Sequence, residues 1–338
     1  MGKKKTSFNI SMSDVAKLAG VSSMTVSRAL RSPELVQPET LERIKKVVDT
    51  VGYVPNRIAA NLSSDRTTQI ALIVPSLGNA LYADMIQGIS SVLQPQGYQL
   101  MVSDSGYSVD LEEKLISAYI SHQVCGIVLH NTQHTERTRK ALKASGIPCV
   151  ETGNLQSNPI DMAVGYSNYK AGFAVAQHLL DLGYSRIGFA SLEVKNNIRL
   201  SERRRGFIAG LKKSGIVLDP SVIVVCEGGL KNGGIALGQI LETDPGVQAV
   251  FFAGDVLAAG AIFECQRRGI NVPGDLAIVA SDDNDLMRNI IPSLSTVHFP
   301  RYEIGVKSAE LILDRINGIS PQKKQIDLGF TVIRRQST

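Results

Sequence analysis

The stretch from residue 13 to residue 31, SDVAKLAGVSSMTVSRALR, constrains the fold more than any other part of this chain. It predicts a helix, a tight turn around Gly20 and a second short helix that starts with small polar residues. Two helices joined in this way form a helix-turn-helix, in which the second helix enters the major groove of DNA and the first braces it. Ser22 is placed to cap the second helix, because its hydroxyl can accept from an otherwise unpaired backbone N–H.

The distribution of charge favours this interpretation over an ordinary helical hairpin. Residues 1–66 carry 11 Lys and Arg against 6 Asp and Glu, whereas the remaining residues carry 25 of each. The whole net charge of +5 therefore lies in the first fifth of the chain. A basic module on a neutral body suits a polyanionic partner such as DNA, which is held partly by counterion release. A basic tail that serves only solubility is the alternative.

Helix, linker and strand signals divide the chain into three segments. We predict an all-α helix-turn-helix domain over residues 1–55, whose third helix begins at Pro38 and stops at Gly52. Residues 56–67 are predicted to form a short hinge helix and a linker. Over residues 68–338, short apolar runs alternate with amphipathic helical stretches, and the series repeats. This pattern is typical of two α/β lobes with parallel sheets, whose ligands bind beyond the carboxyl ends of the strands.

Cysteine usage and hydropathy exclude other classes of protein. The four cysteines form no CxxC pair, which indicates free thiols in a reducing compartment rather than a disulfide framework. No apolar run reaches the length of about 18 residues that a membrane span requires. The first residues also lack the apolar core of a secretory signal. We therefore expect a cytoplasmic protein that does not contact a membrane.

Two blocks, DVAKLAGVSSMTVSRAL at 14–30 and GYVPNRIAANL at 52–62, resemble the lactose/galactose repressor family of bacterial regulators in sequence and in spacing. The resemblance covers almost the whole chain. Within the family, the body is most similar to gluconate-utilisation repressors, through AVGYSN (163–168), IFECQRRGINVPGDLAI (262–278) and LGFT (328–331).

The resemblance implies an architecture: a small all-α helix-turn-helix domain followed by an α/β two-lobed, periplasmic-binding-protein-like body with parallel sheets. The N-lobe is expected at about 68–167 and 299–325, and the C-lobe at about 168–298 and 326–338. The implied function is that of a DNA-binding transcriptional regulator, a repressor of sugar or sugar-acid (gluconate-type) catabolism. A small-molecule inducer would release it from palindromic double-stranded operator DNA, which a homodimer binds. A corepressor of opposite sign stays open.

The resemblance also places the residues that contact DNA. In this family the tip of the second helix reads base edges, and Arg28, one turn further on, can pair with guanine through its fork. Met24 has no donor and favours an apolar contact such as a thymine methyl, unless it belongs to the core. Hydroxyls near the tip suit phosphate oxygens, and the hinge residues are expected in the minor groove. The predicted set is Ser22, Ser23, Met24, Thr25, Ser27, Arg28, Asn56, Arg57, Ala59 and Leu62.

In the body, Arg203 matches the arginine with which the family grips its effector, and Asp282 matches an aspartate that accepts hydroxyl donors. Arginine binds a carboxylate through two parallel charge-assisted hydrogen bonds, so this pair suits a sugar acid. Two departures leave the ligand open: Gly254 stands where the family has an asparagine, and Ser167 replaces an acidic residue. The predicted effector residues are Asn79, Tyr82, His130, Arg203, Asp255 and Asp282.

Two other functions compete with this interpretation. An enzyme is disfavoured because the chain holds no GxGxxG, P-loop or GxSxG motif, and we expect no cofactor. His130 and His134 have a spacing that could hold a metal, but no third ligand is apparent, and a polar loop is favoured. A solute-binding protein would share the two lobes, but it would need an export signal and would have no use for residues 1–66.

We predict that Leu62→Ala weakens operator binding strongly. The reason is that the hinge leucines of a dimer are expected to wedge between base pairs and so gain a bent, better-wrapped site. Titration of a labelled operator with wild type and variant measures this effect, and effector binding by the isolated body should be unchanged. Equal operator affinities would refute the wedge.

Overall fold

The computed structural model describes residues 10–54, 67–193 and 197–338, which form parts of two compact units. We call the unit Met1–Arg66 the head and the unit Thr67–Thr338 the body. Four predicted hinge residues lie outside the described residues, and their predicted roles stay predictions: Asn56, Arg57, Ala59 and Leu62.

The head is a three-helix unit built around a small apolar core. Its helices are α1 (Met12–Ala19), α2 (Ser23–Arg31) and α3 (Pro38–Val51). The turn between α1 and α2 is made by Gly20 in the left-handed conformation (φ 65°), and Gly52 ends α3 in the same way (φ 62°), as the sequence predicts. The buried side chains of the core are Val15, Ala16, Ala19, Val26, Ala29, Ile44 and Tyr53.

The body contains two six-stranded sheets of the same strand order. In the N-lobe the order is β2-β1-β3-β4-β5-β11, and every pairing is parallel. These strands are β1 (Gln69–Val74), β2 (Gln99–Asp104), β3 (Gly126–Leu129), β4 (Cys149–Asn154), β5 (Met162–Tyr166) and β11 (Gln325–Asp327). In the C-lobe the order is β7-β6-β8-β9-β10-β12, with β12 antiparallel. These strands are β6 (Ile187–Leu192), β7 (Ile223–Cys226), β8 (Ala249–Phe252), β9 (Ala277–Ser281), β10 (Ser295–His298) and β12 (Thr331–Ile333).

Helices link the parallel strands, and central strands such as β3 and β8 are entirely buried. This accounts for the continuous apolar runs in the sequence, because a strand covered on both faces needs no polar side. None of the helices in the described part of the chain is long and apolar enough to cross a bilayer. The body helices are α4 (Ala83–Leu93), α5 (Val109–Ser121), α6 (Glu136–Ser145), α7 (Asn168–Asp181), α8 (Ile198–Lys213), α9 (Leu230–Thr243), α10 (Asp255–Arg268), α11 (Asp285–Asn289) and α12 (Arg301–Ile316).

The chain passes between the lobes three times: between β5 and α7, between β10 and α12, and between β11 and β12. Each passage carries one aromatic side chain, and these side chains are in contact. The ring of Phe299 stacks on Tyr166 at a centroid distance of 4.0 Å and lies 6.5 Å from Phe330. The three passages therefore share one packed core rather than forming separate linkers.

The predicted lobe boundary between residues 325 and 326 is wrong by a few residues. Ile326 and Asp327 pair with Val164 and Gly165 of β5, so β11 belongs to the N-lobe as far as Asp327. The apolar pattern around this passage runs on without a break through both short strands, and it therefore gives no local sign of the change of lobe.

Glycines bring α7 and α8 into backbone contact in the C-lobe. A Cβ added at Gly206 of α8 would lie 1.9 Å from the carbonyl oxygen of Tyr169, and one added at Gly172 of α7 would lie 1.9 Å from that of Arg203. This reciprocal contact leaves no room for side chains between the two helices. It fixes the depth at which α8 carries Arg203 towards the region between the lobes.

A buried charged cluster in the N-lobe ties α5, β4 and the loop after β3 together. His134 places Nδ1 2.5 Å from Oε1 of Glu112 and Nε2 3.2 Å from Oε1 of Glu151. Burial alone would lower the pKa of His134, but the hydrogen bonds to both carboxylates outweigh it and raise the pKa to about 9. Both ring nitrogens are therefore engaged, and His134 does not join His130 in a metal site. No metal-holding group of three His, Cys, Asp or Glu occurs within residues 10–54, 67–193 and 197–338.

We predict that Gly206→Ala destabilises the body by about 1–3 kcal/mol, because the added methyl group must separate two helices in backbone contact. Urea unfolding followed by circular dichroism measures the change. Gly228→Ala is the matched control, since its Cβ would meet only a side-chain atom of Leu192 at an ordinary 3.6 Å. Equal unfolding free energies for the two variants would contradict the close approach.

We also predict that alkaline pH weakens the N-lobe cluster. A pKa raised from 6.5 to about 9 in the folded state stabilises fully below pH 6.5, and this stabilisation is lost as the pH rises through 9. The loss is on the order of 3 kcal/mol. Urea unfolding of wild type and His134→Gln between pH 6 and pH 10 checks this. Wild type should lose stability relative to the variant over that range, and parallel curves would exclude the cluster as the cause.

Candidate functional site

A cavity lies between the two lobes, at the carboxyl ends of their parallel strands. Its volume is about 510 Å³, counting its open mouth. The strand order of both sheets reverses direction beside β1 and beside β6, and α/β sheets bind ligands at such switch points. The lining residues are Asn79, Leu81, Tyr82, Tyr107, His130, Tyr166, Leu192, Asn197, Arg199, Leu200, Arg203, Ala253, Gly254, Asp255, Asp282 and Arg301.

All six effector residues predicted from the sequence line this one cavity. They converge because each follows a strand end or lies on a helix packed against one. Asn79 and Tyr82 follow β1, and His130 follows β3. Asp255 and Asp282 follow β8 and β9 in the other lobe. The two groups therefore face each other across the space between the lobes.

Asp282 lies at the centre of an ion network that joins the lobes. Its Oδ1 bonds Nη2 of Arg301, which begins α12 of the N-lobe, and its Oδ2 lies 3.7 Å from Nη1 of Arg203 of the C-lobe. Burial raises the pKa of Asp282, but the charges of Arg301 and Arg203 outweigh burial and hold the pKa below its ordinary value. Asp282 is therefore ionised and shared by two arginines.

The backbone of Asp282 adopts a strained conformation that supports this ion network. Asp282 has a φ of 81°, a left-handed conformation that residues other than glycine rarely adopt. Its N–H donates to the carbonyl of Val297 at 3.0 Å, and the hydroxyl of Thr296 donates to its carbonyl at 3.2 Å. Strain held by such contacts is characteristic of functional sites, because the surrounding structure determines where the side chain points.

Arg203 is held on several sides. Its Nη1 donates to the carbonyl of Ala253 at 3.2 Å, and its Nη2 donates to Oδ1 of Asn168 at 2.9 Å. Its guanidinium also lies over the ring of Phe299, 5.0 Å from the centroid. Burial lowers its pKa, but arginine remains protonated at neutral pH even so. Its two Nη atoms are thus engaged within the protein, whereas its buried Nε has no hydrogen-bond partner in the part of the chain that the structure describes.

Arg199 is a second cation of the cavity that the sequence analysis missed. It lies in the first turn of α8, and its Nη1 donates to the carbonyl of His130 at 3.2 Å, across the space between the lobes. Burial lowers its pKa, but the neighbouring hydroxyls of Tyr82, Tyr166 and Tyr107 more than offset this and raise it. Among the described residues, no carboxylate forms an ion pair with it.

His130 presents a neutral ring to the cavity. Burial, followed by the charges of Arg199 and Arg301, holds its pKa well below its ordinary value. Its Nδ1 lies 2.8 Å from the hydroxyl of Thr152, which itself donates to the carbonyl of Leu129 at 3.2 Å. We assign the ring proton to Nδ1, because the Thr152 hydroxyl then donates to Leu129, and this leaves Nε2 as an acceptor. A hydroxyl group of a ligand suits that acceptor.

Asp255 has a different environment from Asp282. Burial, and then the charge of Asp282, raises the pKa of Asp255 to about 6. The amide of Asn284 donates to its Oδ2. The neighbouring Gly254 leaves open space, since a Cβ there would meet nothing within 4 Å. An amide from another loop therefore partners the carboxylate beside the glycine that departs from the family pattern.

The charges of the cavity do not balance. Three guanidinium groups, those of Arg199, Arg203 and Arg301, line it together with the carboxylates of Asp282 and Asp255. The Asp255 carboxylate, whose pKa is raised to about 6, is mostly ionised at neutral pH and gains a proton only as the pH falls towards 6. The net charge is therefore between +1 and +2 in a largely desolvated space. Such a space favours a ligand that brings negative charge.

Signals for the missed residues are present in the sequence, but they are weak. Arg199 lies four residues before Arg203, so both project from the same face of α8. Arg301 is separated by two residues from the end of β10, the fifth strand of the C-lobe, at the passage back to the N-lobe. Neither position is marked by composition, because arginines are common on exposed helix faces.

In the head, the predicted DNA-reading residues lie at the start of α2. Ser22 is the N-cap, and its hydroxyl accepts from the N–H of Thr25 at 3.1 Å. The side chain of Met24 is 72% exposed, which excludes the core interpretation. Ser23 and Arg28 are exposed as well, whereas Val26 between them is fully buried in the core of the head. One face of α2 therefore packs in the core of the head, and the other exposes polar, apolar and cationic groups.

Comparisons with known proteins agree with this architecture. Residues 11–56 match the family described as bacterial regulatory proteins, lacI family, and residues 176–338 match a periplasmic binding protein-like domain. The HTH-type transcriptional regulator GntR of Pseudomonas aeruginosa is 35% identical over 339 residues, 99% of this chain and 97% of that protein. GntR of Escherichia coli (strain K12) is 35% identical over 322 residues, 95% of this chain and 96% of that protein.

A solved structure extends the comparison to the fold. The crystal structure of a transcriptional regulator of the same family from Silicibacter pomeroyi is 31% identical, with a TM-score of 0.91 over 97% of this chain and 99% of that one. The predicted fold class and the predicted regulator function are thereby confirmed. The chain belongs to the lacI family of bacterial transcriptional regulators.

Proposed function

We propose that this chain is a repressor whose effector is a sugar acid of the aldonate type, bound in the cavity between the lobes. It acts as a homodimer on palindromic operator DNA in the cytoplasm, and the effector releases it from that DNA. The observation that carries the proposal is the surplus of positive charge in the cavity, where three arginines face the carboxylates of two aspartates.

A single carboxylate on the ligand would balance most of this surplus. Arginine forks match carboxylate geometry, and charge-assisted bonds are strong where water is excluded. A neutral sugar would leave the surplus uncompensated. A phosphorylated sugar would bring about two negative charges together with a larger and more rigid group.

The remaining polar groups of the cavity suit a chain of hydroxyls. Nε2 of His130 and the carboxylate of Asp282 are acceptors, and Asn79, Tyr82 and Tyr107 add further donors and acceptors along the N-lobe wall. An open-chain sugar acid has one anionic end and several hydroxyls, which is the complement of this wall. The resemblance of the body to gluconate-utilisation repressors supports the same class.

The head supplies the DNA contacts. We propose that Ser23, Met24 and Arg28 reach base edges in the major groove, while Ser22, Thr25 and Ser27 bond phosphate oxygens and fix the register. The exposed face of α2 described above supports these roles. Two heads related by two-fold symmetry would read the two halves of a palindrome.

Effector binding shifts DNA affinity only if the ligand prefers one arrangement of the lobes. The cavity meets this condition, because its walls come from both lobes and its central ion network joins them. An aldonate that bonds both walls therefore favours the lobe arrangement in which they are close. We propose that this arrangement is the one with low affinity for the operator.

We predict that D-gluconate weakens operator binding by about 5–150-fold, the range of ordinary allosteric coupling. The operator is first selected from a pool of random duplexes with the full chain, and affinity is then measured by fluorescence anisotropy. D-Glucose at the same ionic strength is the control and should have no effect. An unchanged affinity with every aldonate tested would overturn the proposal, and a tighter complex would establish a corepressor instead.

A further inference from the structure

The cationic groups of the cavity are not equally available to a ligand. Arg301 and Arg203 both bond Asp282, and Arg203 also donates to the carbonyl of Ala253 and to the amide oxygen of Asn168. These two arginines already share a carboxylate inside the protein. A ligand carboxylate beside them would be repelled by Asp282, which already offsets part of their positive charge.

Arg199 is placed differently. Arg199 contacts the opposite lobe through the hydrogen bond from Nη1 to the carbonyl of His130 and through the hydroxyl of Tyr82, and neither neutral group compensates its charge. The described carboxylates include none within ion-pair distance of it, although Asp282 is close enough for the charge of Arg199 to lower its pKa. Within the described residues, its positive charge therefore has no directly paired carboxylate in the cavity.

The aliphatic part of the Arg199 side chain packs against the N-lobe. Gly153 of β4 has a φ of 100°, and a Cβ there would lie 3.3 Å from Cδ of Arg199 and 3.1 Å from Cε1 of His130. Because Gly153 has no side chain, the aliphatic part of Arg199, which belongs to the C-lobe, lies against the N-lobe beside the His130 ring. This packing holds the Arg199 guanidinium at the cavity wall, where Tyr82 and Tyr107 also lie.

We propose that Arg199, and not Arg203 as the sequence comparison implies, receives the carboxylate of the effector and determines the choice of acids over neutral polyols. Arg203 and Arg301 then serve to hold Asp282, which accepts hydroxyls of the ligand. This inference rests on the proposed function, since it assigns the anionic end of the aldonate to a residue.

Different residues of the cavity therefore bind the anionic end and the hydroxyls of the ligand. Removal of the Arg199 charge should cost the ligand its ionic contact while the hydroxyl-binding groups stay in place. A neutral ligand with the same hydroxyls should hardly be affected. D-Gluconamide is such a ligand, because an uncharged amide replaces the carboxylate on the same carbon skeleton.

Titration calorimetry with the full chain tests the assignment. For Arg199→Gln we expect the affinity for D-gluconate to fall at least 30-fold, and the affinity for D-gluconamide to change less than 3-fold. Retained gluconamide binding also shows that the variant is folded. Arg199→Lys should lie between wild type and Arg199→Gln, because it keeps the charge but loses the fork. Arg205→Gln is the matched control on the same helix, since Arg205 is exposed and pairs with Glu202.

The outcomes separate this inference from the proposed function. If wild type binds D-gluconate and Arg199→Gln binds it equally well, the assignment to Arg199 is overturned and the proposed function stands. If Arg199→Gln loses both ligands to the same extent, the residue has a general packing role and the assignment is again overturned. If wild type binds no aldonate at all, the proposed function fails, and this inference fails with it.

Discussion

The shared ion pair at Asp282 is the interaction on which the arrangement of the body depends. The Asp282 carboxylate pairs with one arginine from each lobe. The backbone of Asp282 is in a strained conformation, which persists because the surrounding contacts hold it. Removal of either guanidinium partner from this buried carboxylate would destabilise the fold, because an unpaired buried charge is strongly destabilising. The lobes are therefore joined by a contact that also forms the floor of a ligand cavity.

The topology of the two sheets brings these charged side chains together. Parallel strands of the same order in both lobes end at facing edges, so residues after β1, β3, β8 and β9 meet without any local sequence relation. Close packing of α7 on α8 through glycines sets the depth of Arg203. Arg203 and Arg301 both lie over the ring of Phe299, which stacks on Tyr166 where the chain passes between the lobes, so the arginines are packed directly against these passages.

Much of this could be predicted from the sequence, and the exceptions have physical reasons. The helix-turn-helix, the third helix from Pro38 to Val51 and the alternation of strands and helices follow from caps, glycines and apolar period, which are local properties. The six predicted cavity residues came from a resemblance to a family, and the structure brings them together. Arg199 and Arg301 escaped prediction because their importance lies in which charges are already paired, a property of the folded chain alone. The third passage was misplaced because β11 and β12 are short and share one apolar run.

The central claim is that the cavity favours a ligand that carries a negative charge. The thermal unfolding midpoint of the wild-type chain tests this most directly, measured against rising concentrations of D-gluconate and of D-sorbitol at constant ionic strength. A ligand that binds only the folded state raises the midpoint according to its concentration and affinity. The account predicts a markedly larger rise with D-gluconate than with D-sorbitol over the same range. An equal rise with both ligands, or a rise with D-sorbitol alone, would contradict it.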